Sequence, residues 1–307
     1  MNRKEYRFKA IALACLMAIG LGTAPISAAA NTDVAVVSSY SEASSVARKY
    51  LYLGSVANKQ VSAYTRKSVV IGGNAVTIKG LTINGVEYIP FRAAASALGA
   101  SYSYSGSTGT MKADGLVLSS GAGCYVSYAN DRVLFSTSPS VLMGDGRLYI
   151  PADTFAKAIG MKISATDATL TFSGEYSPII SASRYYREDE VLWLARIIHA
   201  ESSGEPLLGQ IAVGNVVLNR VKSPDYPNTI YGVIFDRKYG VQFSPILNGT
   251  IYNTPSYNST LAAKICLEGF DTSDGALFFL EPNIATSSWI PKNRPYAFTI
   301  GRHDFYK

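Results

Sequence analysis

Histidine is nearly absent from this chain: 307 residues contain two, His199 and His303, with no CxxC, no HExxH and no His-rich cluster. A dedicated zinc or copper centre needs several closely set nitrogen, sulfur or carboxylate ligands, so no metal site is expected, and no cofactor is implied. Cysteine is as scarce. Of the three, Cys15 lies in the apolar N-terminal stretch, while Cys124 and Cys266 fall in what read as different domains, which argues against a disulfide framework. No apolar run reaches the roughly 20 residues that span a bilayer. Lys and Arg never cluster, so nucleic acid is not an expected partner.

What is present suits two globular domains, because 48% apolar residues supply enough core material for a chain of this length. The opening "MNRKEYRFKAIALACLMAIGLGTAPISAAAN" has a basic start, an apolar run from about Ala10 to Gly22, and small residues at Ala28 and Ala30. It reads as a secretory signal peptide over 1–30, with no stable membrane anchor once it is cleaved. Cys15 has too few apolar residues before it for lipid attachment. The four basic residues and one acid of 1–30 account for half of the formal +6, leaving +3. That mild excess favours an anionic wall only diffusely.

Residues 31–64 are polar and Ser-rich and read as a lead-in segment. From about Thr65 the texture changes to short β-rich runs punctuated by glycine. One pattern occurs twice there: "INGVEYIPFRAAASALGASYSYS" at 83–105 and "GDGRLYIPADTFAKAIGMKISAT" at 144–166. Asn84-Gly85 and Asp145-Gly146 read as hairpin-type turns, Ile89-Pro90 and Ile150-Pro151 as a strand end opening a helix, and Gly99 and Gly160 as helix caps. A duplicated ββα-type unit is expected over 65–175. "SGEYSPIISASRYY" at 173–186 reads as a linker, and helical periodicity begins with Glu188.

In "REDEVLWLARIIHAES", positions 191, 194, 198 and 201 share one helical face and read Val, Leu, Ile, Glu. Glu201 therefore ends an apolar stripe. A carboxylate removed from water has its pKa raised, and a carboxylic acid still protonated near neutral pH can donate a proton to a glycosidic oxygen. The plainer reading is a salt bridge with Arg196 or Arg220. Pro206 opens a second helix, "PLLGQIAVGNVVLNRVK", apolar nearly all round and expected to be central, while Glu205 suits that helix's positive N-terminal end. Further on, Tyr239, Gln242, Phe243, Ser244, Asn283 and Trp289 offer the aromatic faces, amides and hydroxyls that line sugar-binding clefts. His303 reads as a hydrogen-bonded structural histidine, and His199 lies on a different helical face from Glu201.

Two family resemblances attach to these motifs. "YIPFRAAASALGA" and its echo "YIPADTFAKAIGM" resemble the copper amine oxidase N-terminal-like domain, although this segment has no histidine and offers no copper site; it is expected to act as a stalk or wall-binding module. The run "HAESSGEPLLGQIAVGNVVLNRVKSPDYPNTIYGVIF", followed by "QFSPILNGTIY", "ALFFLEPNIATSSWI" and "TIGRHDFY", resembles the catalytic domain of SleB-type cell wall hydrolases, the spore-cortex-lytic family. That resemblance implies an α+β chain with a lysozyme-like catalytic domain over 176–307 behind a β-rich duplicated domain. It also implies cleavage of peptidoglycan glycan strands, with Glu201 as catalytic acid and with Ser202, Glu205, Gln242 and Phe243 matching family positions and expected to contact the substrate. The expected activity is a lytic transglycosylase, secreted and associated with the cell wall or the spore envelope. A hydrolytic muramidase, an amidase and a non-catalytic wall-binding protein are the alternatives; an amidase would ordinarily want a metal with several His ligands.

Overall fold

The computed structural model describes residues 64–307 apart from Tyr239 and Thr286. The expected signal peptide and nearly all of the lead-in segment lie outside the described residues. The chain mixes α and β structure and divides into two compact units, one ending at Tyr185 and the other running from Tyr186 to Lys307. No helix of the described residues is long and apolar enough to cross a membrane.

The first unit opens with β1 (Thr65–Ile71), β2 (Asn74–Ile83) and β3 (Val86–Pro90), followed by α1 (Phe91–Ala97). A five-stranded antiparallel meander follows: β4 (Ser101–Ser105), β5 (Thr108–Ala113), β6 (Leu116–Gly121), β7 (Val126–Ala129) and β8 (Arg132–Phe135). Then come β9 (Val141–Leu142), β10 (Leu148–Pro151), α2 (Ala152–Ile159), β11 (Lys162–Ala165), β12 (Thr169–Ser173) and a short helix α3 (Ala182–Tyr185). The seven remaining strands form one sheet in the order β11-β12-β1-β2-β3-β10-β9, in which β1 and β12 pair in parallel.

The two copies of the repeat meet through their Ile-Pro strands. β3 and β10 run antiparallel with Ile89 opposite Ile150, so the repeats face each other about the centre of that pair. In both, the proline ends the strand and the helix begins one residue later. Asn84 and Gly85 both take left-handed conformations, as a two-residue hairpin turn requires. The second turn differs from expectation: β9 and β10 are joined by the longer segment 143–147, and only Gly146 has positive φ. Apolar faces of both helices and both sheets pack into one core, in which Phe155 meets Phe172 edge to face at 5.4 Å.

The second unit is built on α4 (Glu188–Ser202) and α5 (Leu207–Lys222), joined by a four-residue corner. After them come α6 (Ile230–Ile234), α7 (Pro245–Asn248), a 3-10 turn (Thr250–Tyr252) and α8 (Tyr257–Leu267). Next are β13 (Phe278–Leu280), α9 (Trp289–Asn293), β14 (Tyr296–Ile300) and β15 (His303–Tyr306), whose strands form a small sheet in the order β13-β15-β14. Helix α5 is buried from Gly209 to Val217, as its apolar sequence predicts. A side chain at Gly214 would meet both Cys266 Sγ and Ile198 Cδ1 at 2.8 Å, so this glycine permits the close approach of α4, α5 and α8. On the opposite side Ala212, Val213 and Val216 pack against Phe298, Ile300 and Phe305 of the sheet. The fixed helix α5 thus positions the end of α4 on one side and the β14–β15 turn on the other.

Gly160 closes α2 in a left-handed conformation, and a Cβ there would collide with the Ser177 carbonyl. Replacing it with alanine is expected to lower stability by about 2 kcal/mol or more, read as an earlier thermal unfolding transition of the full chain.

Candidate active site

The corner between α4 and α5 treats its two glutamates in opposite ways. Ser202 donates its hydroxyl back to the Ile198 carbonyl at 2.7 Å, and the Glu205 N–H donates to the Ser202 carbonyl at 2.9 Å, which tightens the turn. Glu205 then points inward. Its Oε1 accepts from Arg302 Nε at 2.7 Å and its Oε2 from the Arg302 backbone N–H at 3.0 Å, with the carboxylate 1% exposed. A Cβ at Gly301 would sit on that carboxylate, so the β14–β15 turn needs glycine both for its positive φ and for space. Gln210 fastens the same corner to α8, donating to the Glu205 carbonyl and accepting from Ser259 Oγ, each at 3.0 Å.

Glu201, one turn earlier, has no such partner: no hydrogen bond or ion pair reaches its carboxyl among the described residues. Burial pushes its pKa up from the ordinary 4.5 to about 7, and the positive charge of Arg220 partly opposes the rise. Arg220 belongs to the last turn of α5 and is 5% exposed. Its Nε donates to the Leu277 carbonyl at 2.7 Å, while its Nη1 is buried without a hydrogen-bond partner among the described residues. Three rings surround the guanidinium, those of Tyr226 and Phe243 at 5.1 Å and Phe278 at 5.5 Å. The salt-bridge reading of Glu201 therefore gives way to a longer-range attraction. Arg196, the other suggested partner, lies over the Trp193 ring at 4.9 Å.

From Arg220 the constellation extends outward. Phe278 touches Trp289 at 6.4 Å between ring centres, Arg294 lies over both rings, and Trp289 is 51% exposed. Ser244 and Asn283 are exposed; Gln242 is half-buried, its amide donating to the Gly240 carbonyl at 3.1 Å. These residues remain free to meet a ligand. Tyr239 lies outside the described residues.

Three expected ligand contacts are placed differently. Ser202 and Glu205 are buried in bonds within the protein, because the corner uses their polar atoms to close itself. Phe243 is a buried ring beneath Arg220 rather than a cleft wall. His303 is buried as expected, but its Nδ1 has no hydrogen-bond partner among the described residues; its ring packs edge-on against Phe279 at 5.4 Å, and burial holds its pKa below the usual value. His199, on its different face, accepts a long hydrogen bond from the Ser256 N–H. Tyr226, Phe278 and Arg302 went unassigned from sequence, and Arg220 was named only as a salt-bridge partner of Glu201. One signal was available, the arginine inside the apolar run "VVLNRV".

A two-unit protein whose C-terminal unit presents one desolvated, unpaired carboxyl beside a buried cation is the class these features define. Residues 204–306 match the family described as Cell Wall Hydrolase, and residues 70–173 match the Copper amine oxidase N-terminal domain. Glu201 lies just before the first of these spans. The chain is 40% identical over 122 residues to a spore cortex-lytic enzyme of Bacillus cereus, covering 40% of this chain and 46% of that one. It is 38% identical over 120 residues to the corresponding enzyme of Halalkalibacterium halodurans, covering 39% and 35%. Among solved structures, the catalytic domain of the germination-specific lytic transglycosylase SleB from Bacillus anthracis shares 40% identity, covering 40% of this chain and 97% of that one, with a TM-score of 0.37. The chain thus spans less than half the length of these curated relatives. The match to the Cell Wall Hydrolase family thus falls within the C-terminal unit.

Arg302→Ala leaves the Glu205 carboxylate buried with one backbone N–H for company. The variant should be destabilised, by less than the loss of a fully buried pair costs, because Arg302 is itself 59% exposed. Glu205→Gln should cost less, since it leaves no buried charge. Denaturant unfolding of the two variants checks the order.

Proposed function

We propose that this protein is a secreted, cell-wall-associated lytic transglycosylase that cleaves peptidoglycan between N-acetylmuramic acid and N-acetylglucosamine, with Glu201 as the general acid and base. In this reading residues 1–30 are a signal peptide, 31–64 a lead-in, 65–175 a wall-binding or stalk domain, and 176–307 a catalytic domain of lysozyme-like fold. The observation that carries it is the carboxyl of Glu201, unpaired and with its pKa raised to about 7. The names of the relatives agree with it.

Glycoside hydrolysis ordinarily uses two carboxyl groups, one to protonate the leaving oxygen and one to activate water or attack the sugar. Here the nearest second carboxylate in sequence is committed to Arg302. One carboxyl suffices for transglycosylation. Protonated Glu201 gives its proton to the glycosidic oxygen as the C1–O bond breaks. The muramic C6 hydroxyl then bonds to C1 while its proton passes to the Glu201 carboxylate, closing a 1,6-anhydro ring and restoring the acid. No water is consumed. Between the two proton transfers Glu201 carries a negative charge in a desolvated site, and the Arg220 cation, held by the Leu277 carbonyl and the surrounding rings, stabilises that charge without neutralising the acid beforehand. Arg220 is thus a positioning residue. Trp289, Asn283, Ser244 and Gln242 supply a ring face and polar groups for the glycan.

Glu201→Gln should reduce release of soluble fragments from purified peptidoglycan by about a thousandfold, and a variant of undiminished rate contradicts the assignment. Because the acid must be protonated, kcat/KM should fall as pH rises through about 7. Removing the cation by Arg220→Met raises the Glu201 pKa further, so the falling limb should move to higher pH while the rate at its plateau drops. A variant that loses rate with an unmoved limb would make Arg220 merely structural.

A further inference from the structure

The first unit contains a groove of about 790 Å³ that the catalytic reading does not use. Helix α1, the exposed part of β2, strand β4 and the turn at Asp145–Arg147 enclose it. Its walls combine ring faces with charge. Tyr102 is held in place: its ring meets Phe91 edge to face at 5.3 Å, and its hydroxyl lies where a side chain at position 109 would go, so Gly109 leaves the room. Arg92 lies over that ring at 5.1 Å from its centre. Tyr104, two residues along the same strand, is 40% exposed.

The charges in the groove do not cancel evenly. Asp145 is bound to Arg147 at 3.2 Å and accepts from the Arg147 backbone N–H. Arg92 meets no carboxylate among the described residues, which leaves one unmatched cation beside two tyrosines. Strand β4 adds a third element. It ends the five-stranded sheet and pairs only with β5, so its outer edge keeps backbone N–H and C=O groups free. Ser96 and Thr77 contribute further hydroxyls to the lining.

From this juxtaposition we infer that the groove binds a peptidoglycan glycan strand, stacking a pyranose ring on Tyr104 and taking a carboxylate of the attached stem on Arg92. Amide and hydroxyl groups of the sugar bond to the open edge of β4. A volume of this size accommodates a saccharide of a few rings. A purely apolar peptide would leave the cation unmatched, whereas a carboxylate-bearing amino sugar satisfies rings, cation and strand edge together. This assignment rests on the wall being the substrate of the second unit, and it gives the first unit the task of holding the enzyme on the insoluble polymer.

The test uses the full chain carrying Glu201→Gln, which should bind without cutting, and co-sedimentation with purified peptidoglycan stripped of attached anionic polymers. Adding Arg92→Ala and Tyr104→Ala should weaken binding about tenfold. Both side chains are exposed, so an unchanged thermal transition is expected and certifies folding. In the chain with Glu201 intact, the same pair should leave cleavage of short soluble glycan fragments unaltered while slowing release from the insoluble wall. Equal binding with and without the two substitutions overturns the assignment. So does displacement by free stem peptide as effective as by glycan fragments, which would make the groove a peptide site. Should Glu201→Gln retain activity, the catalytic reading fails by itself; the binding comparison is still decided by the two groove substitutions.

Discussion

An ion pair with its carboxylate buried at a helix corner ties the second unit together. Glu205 and Arg302 are 97 positions apart in sequence, yet the carboxylate takes both the side-chain N–H and the backbone N–H of its partner, with Gly301 leaving room for it. The pair joins the start of α5 to the β14–β15 turn. Gln210 and Ser259 join the same corner to α8. Glu201 stands at the end of α4, whose exit direction this corner sets, so its carboxyl rests on an arrangement in which it takes no part.

The contrast between the two glutamates is one of environment. Glu205 is paired and hydrogen-bonded; a buried carboxylate without those partners would be prohibitively costly. Glu201 is desolvated without a partner, and its pKa rises to about 7, with a cation near enough to temper the shift and too far to form a salt bridge. Two carboxyls four residues apart thus sit in different environments, which is how neighbouring acids come to hold different roles.

Much of this was legible in local pattern. The stripe Val191, Leu194, Ile198 and Glu201 placed the acid at the end of α4, and the all-round apolarity of 207–222 identified the central helix, its start one residue after Pro206. The doubled Ile-Pro motif marked two strand-to-helix transitions, which the structure pairs at Ile89 and Ile150. What stayed hidden depends on contacts distant in sequence. Nothing near Glu205 announces Arg302, and a motif position reads the same whether its side chain meets a ligand or its own fold. Ser202 bonds within its own helix, an option open to any serine in a last turn. Phe243 is beneath a guanidinium that α5 delivers, and the parallel pairing of β1 with β12 in the large sheet leaves no mark in either strand.

The central claim is that one carboxyl does the work of both acid and base. It is tested most directly by identifying, through mass spectrometry, the ends of the glycan fragments released from purified peptidoglycan by the full chain. Fragments ending in 1,6-anhydromuramic acid are the predicted result, because a single carboxyl with no water-activating partner closes the ring internally. Fragments with ordinary reducing ends would contradict it, since a second group would then have to deliver water to the sugar.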